Sequence, residues 1–103
     1  MTNDCSVELD FMFIDNQDAI DFTAELEDEM AIGYLDTEEN KVYFDGYFRS
    51  TDDMFETLNK FAPKIKNSEL SYWRDDFDSG YVKISGGKCL KCGIAPDEKW
   101  EEA

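Results

Sequence analysis

The sequence predicts an α+β fold in which an antiparallel β-sheet carries two helices on one face. Several short segments alternate apolar and polar residues with the period of a strand, and two longer segments repeat apolar residues with the period of a helix. With 103 residues, 42% of them hydrophobic, the chain is long enough for one domain with its own core. We assign this domain to residues 1–95 and expect residues 96–103 to form a polar tail.

The first predicted elements are a strand and a helix. Residues 7–13 alternate apolar and polar side chains, which indicates a half-buried strand. Asp15 or Asn16 can then cap a helix that spans about residues 17–30. The inner stripe of this helix is predicted to consist of Ala19, Phe22, Leu26 and Met30.

A hairpin and a second helix follow. Strands are expected at residues 32–35 and 41–49, joined by a polar loop at residues 37–40. Ser50 is a good N-cap, and Pro63 ends the helix that begins there. The buried face of this helix is predicted to hold Met54, Phe55, Leu58, Phe61 and Ala62.

The last third of the chain is predicted to add strands at residues 70–74, 81–85 and 88–92. The last two are joined by a tight turn at Gly86-Gly87. The complete order is β-α-β-β-α-β with a C-terminal hairpin. Two helices on one face of an antiparallel sheet, in this order, are the ferredoxin-like arrangement.

A strand-helix-hairpin pattern extends along the second half of the chain. It runs through Phe44-Asp45-Gly46, Ala62-Pro63, Glu69-Leu70-Ser71-Tyr72-Trp73, Asp75-Asp76-Phe77-Asp78, Gly80 and Gly86-Gly87. This pattern, about half of the chain, resembles the YubB-type ferredoxin-like domain of plasmid and phage proteins. It includes no catalytic residue, so the resemblance implies a fold and transfers no functional position.

Charge is distributed very unevenly along the chain. Thirteen Asp and Glu residues and no Lys or Arg precede Lys41, whereas the twelve later acids are nearly balanced by all ten basic residues. Like charges crowded on one part of a fold repel, and most chains intersperse both signs. This asymmetry indicates a surface that binds a basic partner; the alternative is that the acids serve solubility alone.

The first helix holds the densest acidic segment. Seven carboxylates occupy about 24 Å at ~1.5 Å per residue, so they lie about 3.4 Å apart, like the phosphates of one DNA strand. They are Asp15, Asp18, Asp21, Glu25, Glu27, Asp28 and Glu29. Asp18, Asp21, Glu25 and Asp28 are expected to line one outward face without a basic partner in the helix. A solvated helix face is the alternative interpretation.

The helix-free face of the predicted sheet is a second candidate surface. Strand alternation assigns to it the side chains Glu8, Asp10, Met12, Tyr43, Asp45 and Tyr47. Tyrosine is enriched at protein interfaces because it combines a large apolar area with a polar tip. This face is therefore predicted to bind a partner or a second copy of the chain, unless it is an ordinary solvated sheet.

The cysteines are weaker candidates. Cys89 and Cys92 form a Cys-x-x-Cys segment beside two lysines, as in half of a zinc site. A tetrahedral site needs four ligands, and the chain has no His and only Cys5 besides. Dimerisation could supply a second pair, or a carboxylate could join Cys5 to complete the site. Otherwise these thiols are small apolar core residues.

The sequence argues against several other classes. Without His, neither a Ser-His nor a Cys-His nucleophile can form, and no Gly-rich phosphate loop is present, so we expect no enzyme and no cofactor. A formal net charge of −15 repels nucleic acid and anionic membranes. No secretory or membrane-spanning segment is visible, and the odd number of cysteines suits a reducing compartment, which predicts the cytoplasm, or the host cytoplasm for a phage protein.

These observations lead to a functional hypothesis. In size, acidity and inferred fold the chain is similar in kind to phage anti-CRISPR and antirestriction proteins that imitate DNA, a likeness of composition that transfers no residue. We therefore predict a non-enzymatic inhibitor that presents an acidic surface to the basic nucleic-acid-binding cleft of a partner. The alternatives are an immunity or antitoxin protein that neutralises a basic toxin, and a homodimeric interaction protein with a Cys-x-x-Cys metal site.

Overall fold

A computed structural model describes residues 4–28, 31–93 and 99–103. These residues form two α-helices and an eight-stranded antiparallel sheet, which confirms the predicted α+β class. The elements are β1 (Cys5–Phe13), α1 (Asn16–Asp28), β2 (Ile32–Glu38), β3 (Lys41–Phe48), α2 (Thr51–Phe61), β4 (Ile65–Ser68), β5 (Ser71–Arg74), β6 (Ser79–Ser85), β7 (Lys88–Cys92) and β8 (Glu101–Glu102). Neither helix in this part of the chain is long and apolar enough to cross a membrane.

The sheet has the strand order β2-β3-β1-β5-β6-β7-β8. Strand β1 lies at its centre because one edge pairs with β3 and the other edge is shared by β4 and β5. The sequence did not predict β4 or β8. Ile65 is the only apolar residue of β4, and β8 has two residues, so neither segment shows a strand period.

Both helices pack on the same face of the sheet through aromatic rings. The Phe22 ring of α1 lies 5.3 Å from Phe13 of β1 and 5.2 Å from Phe61 of α2. The predicted stripe of α1 is confirmed at Ala19, Phe22 and Leu26, whereas Met30 lies outside the described residues. In α2 the predicted apolar positions are buried apart from Phe55, which is half-buried.

Side-chain caps start both helices as predicted. The Asp15 carboxylate accepts a hydrogen bond from the Gln17 N–H at 2.9 Å, and the Ser50 hydroxyl accepts one from the Asp53 N–H at 3.1 Å. The Asn16 side chain instead accepts from the Asn40 N–H at 2.9 Å. The first residue of α1 is thereby tied to the turn between β2 and β3.

Strand β2 is held unusually close to β3 at a glycine pair. Gly33 and Gly46 are register partners. A Cβ atom on Gly46 would lie 2.2 Å from the carbonyl oxygen of Ile32, and one on Gly33 would lie 2.4 Å from that of Asp45. Only two residues without side chains fit this approach of the two backbones.

Residues 99–103 of the predicted polar tail extend the sheet, and residues 96–98 lie outside the described residues. Strand β8 pairs with β7, and the Ala103 N–H donates to the Cys89 carbonyl at 3.0 Å. The Lys83 ammonium lies 4.3 Å from the centre of the Trp100 ring. These contacts make residues 99–103 part of the sheet. A pattern of consecutive residues does not show pairing with another strand, so the sequence did not predict it.

Candidate partner-binding surfaces

Two of the four acids predicted to form an outward row on α1 are ion-paired. The Lys64 ammonium lies 3.6 Å from Asp18, and the Lys60 ammonium lies 2.8 Å from Glu25. Positions 18 and 25 are seven residues apart, so they share a side of the helix next to buried Phe22. Because α2 packs against that side, Lys60 in its last turn and Lys64 just after its end reach the two carboxylates. The prediction of a single uncompensated row is therefore wrong.

The other predicted acids of α1 point away from α2 or have local roles. Asp21 and Asp28 are exposed, and Asp21 accepts a hydrogen bond from the Gln17 amide at 3.0 Å. Asp15 is exposed and caps the helix. Glu29 lies outside the described residues.

All five tyrosines of the chain lie on the helix-free face of the sheet. In each strand they alternate with residues that contribute to the core. Tyr34, Tyr47 and Tyr72 are about half exposed or more, at 62%, 54% and 48%. Tyr34 and Tyr43 form an edge-to-face pair with ring centres 6.1 Å apart. The sequence prediction of Tyr43 and Tyr47 found part of this surface; Tyr34, in a strand predicted too short to show alternation, was missed.

The predicted acids Glu8 and Asp10 lie on the same face and are exposed. Glu8 is directly opposite Asp45 in the pairing of β1 with β3, an arrangement of like charges that weakens a sheet. Across residues 4–28, 31–93 and 99–103, no salt bridge reaches Glu8, Asp10 or Asp45. We call Glu8, Asp10, Tyr43, Asp45 and Tyr47 the acidic tyrosine face.

One hydrogen bond organises this face. The Tyr43 hydroxyl donates to the Glu8 carboxylate at 2.9 Å. This bond, with the nearby carboxylates of Asp45 and Asp10, raises the pKa of Tyr43 to about 12, because the phenolate would lose the bond and gain repulsion. The tyrosine therefore remains a neutral donor at physiological pH. Further along the sheet the charge changes sign, with Arg74 on β5 and Lys83 on β6.

A groove on the other side of α1 was not predicted. It has a volume of about 710 Å³ and separates α1 from the turn between β2 and β3. Its apolar part includes Ile20, which is 53% exposed, and its rim carries Glu27, Glu38 and Glu39. No Lys or Arg of the described chain lines it. We call this groove, lined by Ile20, Ala24, Glu27, Thr37, Glu38 and Glu39, the edge groove. Its only signal in the sequence was Ile20, an apolar residue outside the inner stripe of α1.

The two cysteines of the Cys-x-x-Cys segment are buried in β7. Cys89 pairs with Ile84 and Cys92 with Tyr81, so strand alternation directs the two thiols to opposite faces. Burial raises the pKa of Cys89 to about 12, against the smaller opposing effect of Lys91. The described residues include no group of three or more His, Cys, Asp or Glu that could hold a metal. This arrangement does not favour a metal site formed by the pair within one chain, and a site shared between two copies stays a prediction.

The Asp75 carboxylate accepts hydrogen bonds from three donors. The Thr51 hydroxyl donates to it, and its other oxygen accepts from the N–H groups of Phe77 and Asp78 at 2.8 and 2.7 Å. These hydrogen bonds lower the pKa of Asp75, and the bond from Thr51 has the largest effect. Asp75 thus joins the turn between β5 and β6 to the first residue of α2.

No family model, curated protein or solved structure matches this chain. The YubB-type resemblance and the likeness to DNA-imitating proteins remain predictions. The surfaces themselves are therefore the basis for a proposed function.

Proposed function

We propose that this protein is a non-enzymatic inhibitor that binds the basic nucleic-acid-binding cleft of another protein. The observation that carries the proposal is the acidic tyrosine face, where Glu8 and Asp45 are opposed without a basic partner. Such an arrangement costs stability within the chain. A cationic partner would convert this repulsion into attraction.

The chemistry of the face suits a surface that normally contacts phosphates. Carboxylates can accept charge-assisted hydrogen bonds from Arg and Lys in place of phosphate oxygens. The excess negative charge would steer the two proteins together, and the exposed tyrosines would add apolar contact area. Direct binding of nucleic acid is disfavoured by the same charge.

Helix α1 has a smaller part in this proposal than in the sequence-based prediction. Asp21 and Asp28 are exposed and extend the acidic surface. Asp18 and Glu25 can contribute only if a partner's cations compete with Lys64 and Lys60. The likeness in composition to anti-CRISPR and antirestriction proteins leads us to propose a CRISPR effector complex or a restriction enzyme as the class of target.

We also propose that the fold is an enlarged ferredoxin-like domain. The antiparallel pairings of β2 with β3, β3 with β1 and β1 with β4 support this interpretation, as do the two helices on one face. Strands β5 to β8 would then be an extension of that unit.

Competition with DNA tests the function. The wild-type chain should displace a fluorescent DNA duplex from a CRISPR effector complex or a restriction enzyme, and displacement should weaken steeply between about 50 and 300 mM salt. Glu8→Lys with Asp45→Lys should abolish it. This double variant replaces one like-charge pair by another, so the cross-strand repulsion is unchanged. The Tyr43 hydroxyl loses its acceptor, and circular dichroism checks that the sheet still forms.

The matched control is Glu56→Lys with Asp76→Lys, two exposed acids away from the face. It changes the net charge equally and should retain displacement. Equal activity of the two double variants would contradict a specific role for the face. Failure of the wild-type chain to displace DNA from either class of target would overturn the proposed function.

A further inference from the structure

We infer that the free edge of β2 accepts an extended basic segment of a partner as an additional strand, with side chains entering the edge groove. The inference rests on the proposed function for its choice of a basic partner. It adds a second contact with the partner, on a different surface from the acidic tyrosine face. It also specifies the binding mode, which is strand addition.

The outer edge of β2 is long, regular and not covered by another described strand. Strand β2 is the last strand on its side of the sheet, and no described strand pairs with its outer edge. Native proteins usually protect such an edge with Pro, Lys, a bulge or a very short strand. Strand β2 has seven residues, contains no Pro or Lys, and keeps an unbroken register with β3. Its own charges, Asp36 and Glu38, repel an acidic segment but attract a basic one. It is therefore a ready template for strand addition.

The space beside that edge also supports the inference. Ile32 and Tyr34 are 73% and 62% exposed on the helix-free side of β2, and on the other side α1 packs chiefly over β1 and β3, so most of the length of β2 is exposed. The edge groove between α1 and the hairpin turn has about 710 Å³, within the size of ligand-binding clefts. Alternate side chains of an added strand would contact Ile20 and Ala24 there.

Charge determines which strand fits. The rim carries Glu27, Glu38 and Glu39, and no described salt bridge neutralises them. A second copy of the chain would bring its own Asp36 and Glu38 to the same edge and add a net charge of −15. A segment that alternates Lys or Arg with apolar residues would satisfy both the apolar wall and the acidic rim.

The experiment uses the full chain and a capped peptide of alternating Lys and Val. Binding should slow amide hydrogen exchange in residues 32–38, since the outer edge of β2 becomes hydrogen-bonded. The same peptide with N-methyl groups on alternate residues, which cannot pair, should not bind. Glu27→Lys with Glu38→Lys should weaken binding about tenfold or more, because attraction becomes repulsion.

Asp28→Lys with Glu56→Lys is the matched control, because it changes the net charge equally on helix positions outside the groove. It should weaken binding less than about threefold, as expected for screened charges. Equal loss in both double variants, or binding of the N-methylated peptide, would overturn the inference. So would self-association of the wild-type chain through residues 32–38 that the peptide does not disrupt.

The result separates this inference from the proposed function. If the peptide does not bind but Glu8→Lys with Asp45→Lys still abolishes DNA displacement, the edge inference fails and the function stands. If the peptide binds but DNA is never displaced, the function fails and the edge remains a strand-accepting site.

Discussion

The two sides of α1 carry similar acids in different surroundings. On the side facing α2, Asp18 and Glu25 pair with lysines and their side chains are 24% and 21% exposed. On the side facing the β2–β3 hairpin, Glu27 is exposed beside Glu38 and Glu39, with no basic residue lining the groove. The comparison teaches that a run of acids in the sequence does not measure the charge of a surface, because tertiary packing decides which carboxylates receive a cation.

The largest expected effect concerns Phe22, the residue that fixes α1 on the sheet and on α2. Phe22 is fully buried between β1 and α2, so Phe22→Ala should lower the free energy of unfolding by about 3–5 kcal/mol. Ile20→Ala, on the groove side, should change it by less than about 0.5 kcal/mol. Urea denaturation measures both. A large cost for Ile20→Ala would show that the groove is closed in solution.

The next prediction concerns the pairing of β3 with β2, the strand whose end lines the edge groove. Gly46→Ala should cost about 1–3 kcal/mol, because the added methyl group meets the β2 backbone. Amide exchange in residues 32–38 should accelerate more than exchange in β1. Uniform acceleration throughout the sheet would indicate that β2 does not separate from β3 independently. Ser6→Ala, at a half-buried position of β1, is the control.

Asp75 is a useful contrast to the carboxylates of the edge groove, because it accepts hydrogen bonds from three donors. Asp75→Ala should lower the free energy of unfolding by about 1–2 kcal/mol at pH 7, since three hydrogen bonds are lost near the surface. The pKa of Asp75 is lowered in the folded state, so its stabilisation is complete above the unfolded value and is lost as pH falls through the folded value. The difference between variant and wild type, followed by denaturation, should therefore shrink below about pH 4; a constant difference would refute the assigned bonds.

The smallest effect compares the two sides of α1 directly. Glu25→Gln should cost about 0.2–1 kcal/mol because its ion pair with Lys60 is lost. Glu27→Gln should be neutral or slightly stabilising, since it relieves repulsion. Thermal unfolding at low salt and at about 1 M salt measures both, and the difference should vanish when charges are screened. Equal costs at low salt would contradict the asymmetry of the helix.

Much of the fold was predictable because its signals are local. The alternation in β1, the caps at Asp15 and Ser50 and the stop at Pro63 act within one turn or strand, and the structure agrees with them. Strands β4 and β8 were not predictable because they form by pairing with distant strands rather than by their own pattern. Local spacing was also insufficient for Cys89 and Cys92. A Cys-x-x-Cys spacing is typical of a metal-binding turn, but these two residues lie in a regular strand that pairs with β6.

The candidate surfaces divide in the same way. Strand periodicity alone identified Glu8, Asp10, Tyr43 and Tyr47 as members of one face, and the register of β1 with β3 brings Glu8 and Tyr43 into hydrogen-bonding contact. The edge groove was missed because it is made by two elements that the sequence does not relate to each other.

The sequence by itself determined the α+β class, the two buried helix stripes and the concentration of acids before Lys41, because composition and periodicity are properties of consecutive residues. Only the tertiary structure decided which acids stay unpaired. The packing of α2 against one side of α1 brings Lys60 to Glu25, and Lys64 just after α2 reaches Asp18, whereas no described salt bridge reaches Glu27, Glu38 or Glu39. Coulombic pairing acts over a few ångströms in space, and distance along the chain does not set that separation.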